Sequence, residues 1–112
     1  MVKQGSIIKL NLDPTKGHEQ AGYRPALIVS PALFTQATSL TLICPITNTN
    51  RKKATHFELT GLQTTGFVMT EQIRAVDLND RQFRVVERVS FELMERVSNF
   101  IKASVDVVEK FD

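Results

Sequence analysis

The chain has 112 residues, a formal net charge of +2, 42% hydrophobic and 23% charged residues. That is enough apolar content for one core and too much for a disordered chain. The only cysteine, Cys44, excludes an internal disulfide, and no Cys/His set has the spacing of zinc ligands. Charge is uneven along the chain: residues 1–53 carry seven Lys/Arg against two acids, and residues 54–112 carry seven against ten. The first half is therefore the one suited to an anion such as a nucleic acid. No apolar run reaches the roughly 18 residues of a membrane span, and the start of the chain lacks the apolar core of a signal peptide. The expectation is one cytoplasmic domain over residues 1–112, with no metal, cofactor or membrane.

Residues 6–12 (SIIKLNL) mix β-branched and polar residues and read as a strand, ended by Asp13-Pro14. Residues 13–23 form a polar, Gly-containing loop carrying His18, Glu19 and Gln20. The loop runs into Arg24-Pro25 and a second strand, residues 24–30, apolar enough to lie centrally with both faces covered, until Pro31 stops it. Residues 32–37 suit a short helical turn. Residues 40–46 read as a third strand, in which Pro45 points to an edge position or a bulge. Residues 47–54 are a polar loop with the cations Arg51, Lys52 and Lys53. Further short strands are expected at 55–59, 66–70 and 72–76, followed by a charged connection, 77–87, that Phe83, Val85 and Val86 anchor or turn into a strand. Ser90 reads as the N-cap of a helix with Glu92 in its first turn, and Met94, Val97, Ile101, Val105 and Val108 share one face. The sum is an α+β arrangement: a small, mostly antiparallel barrel or curled sheet capped by a C-terminal amphipathic helix.

A cation at the base of a rigid strand, beside a loop able to close over a ligand, is a sensible site for an anionic substrate. Arg24 alone would more often be a surface salt-bridge residue, and Thr47 alone a turn residue. His18 suits either catalysis or ligand contact, and His56, alternating with Phe57, suits a structural or substrate-contacting role. Arg51 to Lys53 are either a solvated loop or phosphate contacts.

Taken together, residues 12–31 with their GHEQ and RP elements, CPIT at 44–47 and TEQIRAVD at 70–77 resemble the MazF/PemK/Kid toxins of bacterial toxin–antitoxin systems. The resemblance spans nearly the whole chain. It implies an SH3-like β-barrel of the CcdB/PemK kind, a homodimer, sequence-specific endoribonuclease activity on single-stranded RNA, and neutralisation by a MazE/PemI-like antitoxin. The family's essential arginine falls on Arg24 and its essential threonine on Thr47, with His18 matching a histidine implicated in some members. Glu19, Gln20 and Gln72 match residues of the loop and pocket. The Kid-like subgroup carries an arginine and an aspartate where this chain has Met69 and Glu71, so the Arg24/Thr47 assignment of MazF-like members fits better. Glu71, His56 and the cations Arg51, Lys52 and Lys53 join the substrate-binding candidates.

Metal-free RNA cleavage by the ribose 2′-OH needs charge stabilisation on the phosphoryl oxygens, a proton acceptor and a proton donor. Arg24 suits the first through its planar, permanently charged fork, and the Thr47 hydroxyl can donate to the same phosphate. His18, Glu19 and Glu71 remain alternatives for the base, with His18 favoured by its ordinary pKa. Two other readings stay open: a non-catalytic nucleic-acid-binding barrel, and a toxin of the same fold that poisons gyrase.

Overall fold

The computed structural model describes residues 2–12, 23–49 and 52–111. It contains seven strands and two helices: β1 (Ser6–Asn11), β2 (Tyr23–Ile28), α1 (Ala32–Thr38), β3 (Thr41–Thr47), β4 (His56–Glu58), β5 (Phe67–Met69), β6 (Arg74–Val76), β7 (Phe83–Arg88) and α2 (Phe91–Ser104). All pairings are antiparallel, in the order β4-β5-β3-β2-β1-β7, with β6 also on β3. Among the described residues no pairing joins β4 to β7.

Strand β2 is central and covered on both faces, as its apolar run predicts. Alternate residues feed two separate cores. Leu27 and Val29 join Ile7, Cys44, Ile46 and Val68 on one face. Ala26 and Ile28 join Ile8, Leu10, Ile43 and Val76 on the other. Helix α2 closes the first core with Met94 and Val97. Ser90 caps it by accepting from the Leu93 amide at 3.1 Å, and Phe100 meets Phe57 edge to face. Val105 and Val108 depart from the expected stripe: the helix ends at Ser104, and both valines are exposed beyond it.

Other expectations shift by a few residues for local reasons. Residues 70–72 form a single 3₁₀ turn before β6 rather than the start of a strand, because the Thr70 amide and hydroxyl both donate to the Thr55 carbonyl, at 3.1 and 2.6 Å. The charged connection becomes a true strand, β7, paired to β1. Pro45 does not mark an edge. Strand β3 pairs with β2 on one flank, and on the other with β6 through residues 41–43 and β5 through 46–47. Pro45 falls in the gap between those last two partners, where a missing N–H interrupts no ladder.

Gly66 enters β5 against the end of β3. Its φ is +124°, and a Cβ there would lie 2.5 Å from the Thr47 carbonyl oxygen. Gly66→Ala should cost roughly 1–3 kcal/mol from backbone strain alone, before the clash. Thermal denaturation checks this: a Tm drop of several degrees is expected, and an unchanged Tm would contradict the close packing of β5 under Thr47.

Candidate functional site

Strand register builds the site. The β2–β3 pairs are Ile28 with Ile43, Leu27 with Cys44 and Ala26 with Pro45. Carried on two residues, the same register sets Arg24 opposite Thr47. Thr47 pairs in turn with Phe67 of β5, and Phe67 with Glu58 of β4. Side chains at alternate positions share a face, so residues 24, 47, 67 and 58 form one row across four strands. Met69 and His56, paired with each other, head the next row.

Arg24 is exposed but its strand is anchored: it pairs with Leu10 of β1, which is wholly buried, and Ala26, Leu27 and Ile28 behind it are equally buried. The Thr47 hydroxyl oxygen accepts from the Thr49 amide at 3.1 Å. That contact uses the oxygen as acceptor and leaves its proton to be donated, as a phosphoryl oxygen would require. The two side chains thus present a fixed cation and a hydroxyl donor on one face of the sheet.

The 3₁₀ turn at 70–72 supplies Glu71 and Gln72, and the Thr70–Thr55 hydrogen bonds fix it in place. Glu71 Oε2 lies 2.8 Å from His56 Nε2. The His56 side chain is 3% exposed and its Nδ1 is buried without a partner, so His56 acts as a brace that donates through Nε2 to the carboxylate. Partial desolvation raises the Glu71 pKa. The Thr55 hydroxyl and His56 outweigh it and hold the carboxyl below its ordinary range. By strict geometry Thr55 Oγ1 makes no hydrogen bond, so the His56 contact is the firmer of the two causes. Burial, and then the Glu71 charge, push the Cys44 thiol up to about 12. Cys44 is a core side chain and no nucleophile.

Lys52 and Lys53 are exposed beyond Thr47, with Lys52 in the left-handed region at φ 51°. The structure therefore sets Arg24 opposite Thr47 and, on the β4 side of the sheet, Glu71 against His56, with Gln72 in the same turn as Glu71. His18, Glu19, Gln20 and Arg51 lie outside the described residues. Among the described residues no three His, Cys, Asp or Glu side chains could hold a metal ion. Sequence reasoning missed Thr55 and Thr70, whose role is to pin the turn; two threonines in separate short segments carry no periodic signal.

A profile of the PemK-like, MazF-like toxins of type II toxin–antitoxin systems matches residues 3–105. The chain belongs to the PemK/MazF toxin family. Its relatives include the endoribonuclease PemK of Escherichia coli, 39% identical over 86% of this chain and 76% of that protein. The endoribonuclease toxin ChpB of Escherichia coli K12 is 30% identical over 93% and 94%. The crystal structure of MazF from Deinococcus radiodurans superposes with a TM-score of 0.79 at 28% identity, covering 93% of this chain and 96% of that one. Its fold is thus the small antiparallel sheet with two helices seen in MazF structures.

In this PemK/MazF chain the lowered Glu71 pKa has a defined sign. A carboxyl whose folded pKa is depressed stabilises the fold above its unfolded value, near 4.5, and loses that contribution as pH falls toward the lower folded value. The group is partly exposed, so solvent screening keeps the effect small. Glu71→Gln should flatten the acid limb of stability below about pH 4.5 and leave the slope at neutral pH untouched. Urea denaturation as a function of pH reads this directly, and an unchanged acid limb would contradict the His56–Glu71 contact.

Proposed function

We propose that this toxin is a sequence-specific, metal-independent endoribonuclease that cuts single-stranded RNA, and so inhibits translation and growth. The observation that carries the reading is the placement of Arg24 opposite Thr47 at the end of a doubly buried strand pair. The ribose 2′-OH attacks the adjacent phosphorus, a 2′,3′-cyclic phosphate forms, and the P–O5′ bond breaks to release a 5′-OH. Arg24 carries the charge that grows on the phosphoryl oxygens, and Thr47 donates its hydroxyl proton to the same group. Glu71, held ionised and already accepting from His56, is the weaker base. His18 and Glu19 are the better candidates, and Gln20, Gln72, Arg51, Lys52 and Lys53 contact the strand, while His56, 3% exposed and bonded to Glu71, supports the turn from behind.

The same reading makes residues 1–112 one domain whose curled sheet is an SH3-like barrel of the CcdB/PemK kind. A homodimer would bury apolar side chains that are exposed in the single chain, such as Leu33, Val85 and Phe91. A MazE/PemI-like antitoxin is the protein partner, and an acidic segment of it would suit the basic first half of the chain. The working compartment is the bacterial cytoplasm. No helix among the described residues is long and apolar enough to cross a membrane.

Purified protein incubated with a long RNA in EDTA should give discrete cuts at a short motif with cyclic-phosphate ends. Arg24→Ala should slow cleavage by at least ~10²–10³-fold while leaving the far-ultraviolet circular dichroism spectrum unchanged. Intact RNA with the wild-type protein, or wild-type rates with Arg24→Ala, would overturn the assignment.

A further inference from the structure

On the opposite face of the same strand ends lies a second cationic feature. Lys9 of β1 pairs with Pro25 of β2 on one side and with Arg84 of β7 on the other. Two like charges directly opposite one another across a sheet repel. Neither side chain makes a hydrogen bond or ion pair with another described residue. The single ion pair among the described residues is His56–Glu71. Lys9 and Arg84 line a cavity of about 360 Å³ whose rim includes Asn48, the residue after Thr47.

An acid stands behind one wall of this cavity, bonded to its lining residues Gln63 and Thr64. Glu87 accepts from the amides of Gln63 and Thr64 at 3.0 and 2.7 Å and from the Thr64 hydroxyl at 2.7 Å. Those bonds, the Thr64 hydroxyl first, hold its carboxyl below the ordinary range, and they fasten the 60–66 loop as one wall. Thr65 donates to Asn48 Oδ1 at 3.0 Å, so the Asn48 amide nitrogen is left as the donor. The cavity thus offers two cations and an amide N–H₂, with its own carboxylate already committed to backbone.

We infer that the Lys9–Arg84 cavity is a second phosphate subsite, which holds a backbone phosphate of the RNA strand next to the one that Arg24 engages. This rests on the nuclease reading. Pro25 and Asn48 line the cavity and are the immediate chain neighbours of Arg24 and Thr47, so a strand rounding the end of β2 and β3 would meet both faces. A phosphate between Lys9 and Arg84 would also relieve their repulsion. The site carries affinity and not chemistry, because the register sets Lys9 and Arg84 on the face of the sheet opposite Arg24 and Thr47.

The test is binding of an RNA oligonucleotide made uncleavable by 2′-deoxy substitution at the cut site, measured by fluorescence anisotropy across a KCl series. Each phosphate contact on a single strand adds ~0.7 to the slope of log K against log salt. The Lys9→Gln/Arg84→Gln variant should lower that slope by about 0.7, the value for one phosphate, and weaken binding at low salt. Its single-turnover cleavage rate at saturating RNA should equal the wild-type rate. Thermal denaturation keeps the test interpretable: removing the repulsion should leave Tm level or raised. Unchanged slope and affinity would overturn the subsite, as would a loss of affinity for an acidic peptide alone with RNA binding intact. Failure of the wild-type protein to cut any RNA would overturn the nuclease reading instead, which is a different outcome.

Discussion

The register between β2 and β3 is the constraint on which the site depends. Both strands are apolar on both faces, so hydrophobic alternation by itself would not forbid a slip. The ends fix it. At one end the Val29 amide donates to the Leu42 carbonyl at 2.9 Å, and the Leu42 amide donates to the buried Ser30 hydroxyl at 2.9 Å. At the other, Arg24 must stay at the rim. A slip of two residues would carry its guanidinium to the place of Ala26, which is fully buried, and taking a charge out of water costs several kcal/mol. The Arg24 charge thereby helps to hold the alignment that sets it opposite Thr47.

The rest of the sheet serves that alignment. Strand β3 is the hub, with β2 on one flank and β5 and β6 sharing the other. Gly66 lets β5 come close under Thr47, and the Thr70–Thr55 bonds hold the turn from which Glu71 meets His56. Helix α2 stands on the other core, away from Arg24, and its role is to complete the packing that keeps the strand pair rigid. A small domain has little stability to spare. A buried histidine with an idle nitrogen and two facing cations are features that stability alone does not favour.

Much of this was legible in the residues. The continuous apolar run after Arg24 marked a central strand, and Ser90 with Glu92 marked the start of α2. The order of GHEQ, RP, CPIT and TEQIRAVD pointed to the family. What was not legible depended on pairing across the chain. Pro45 read as an edge signal because a sequence does not show that two different strands divide one flank of β3. Strand β7 was hidden in a run of charges, and with it the meeting of Lys9 and Arg84. Val105 and Val108 kept helical spacing, yet the helix stops before them and both are exposed.

The central claim is that Arg24 and Thr47 act on one phosphate as a unit. A double-mutant cycle measures this directly: single-turnover cleavage by wild-type, Arg24→Ala, Thr47→Ala and the double variant, at saturating RNA. Groups that act as a unit are strongly non-additive, so the double variant should be about as slow as Arg24→Ala alone. Losses that simply multiply would mean that the two side chains work independently, and would contradict the account.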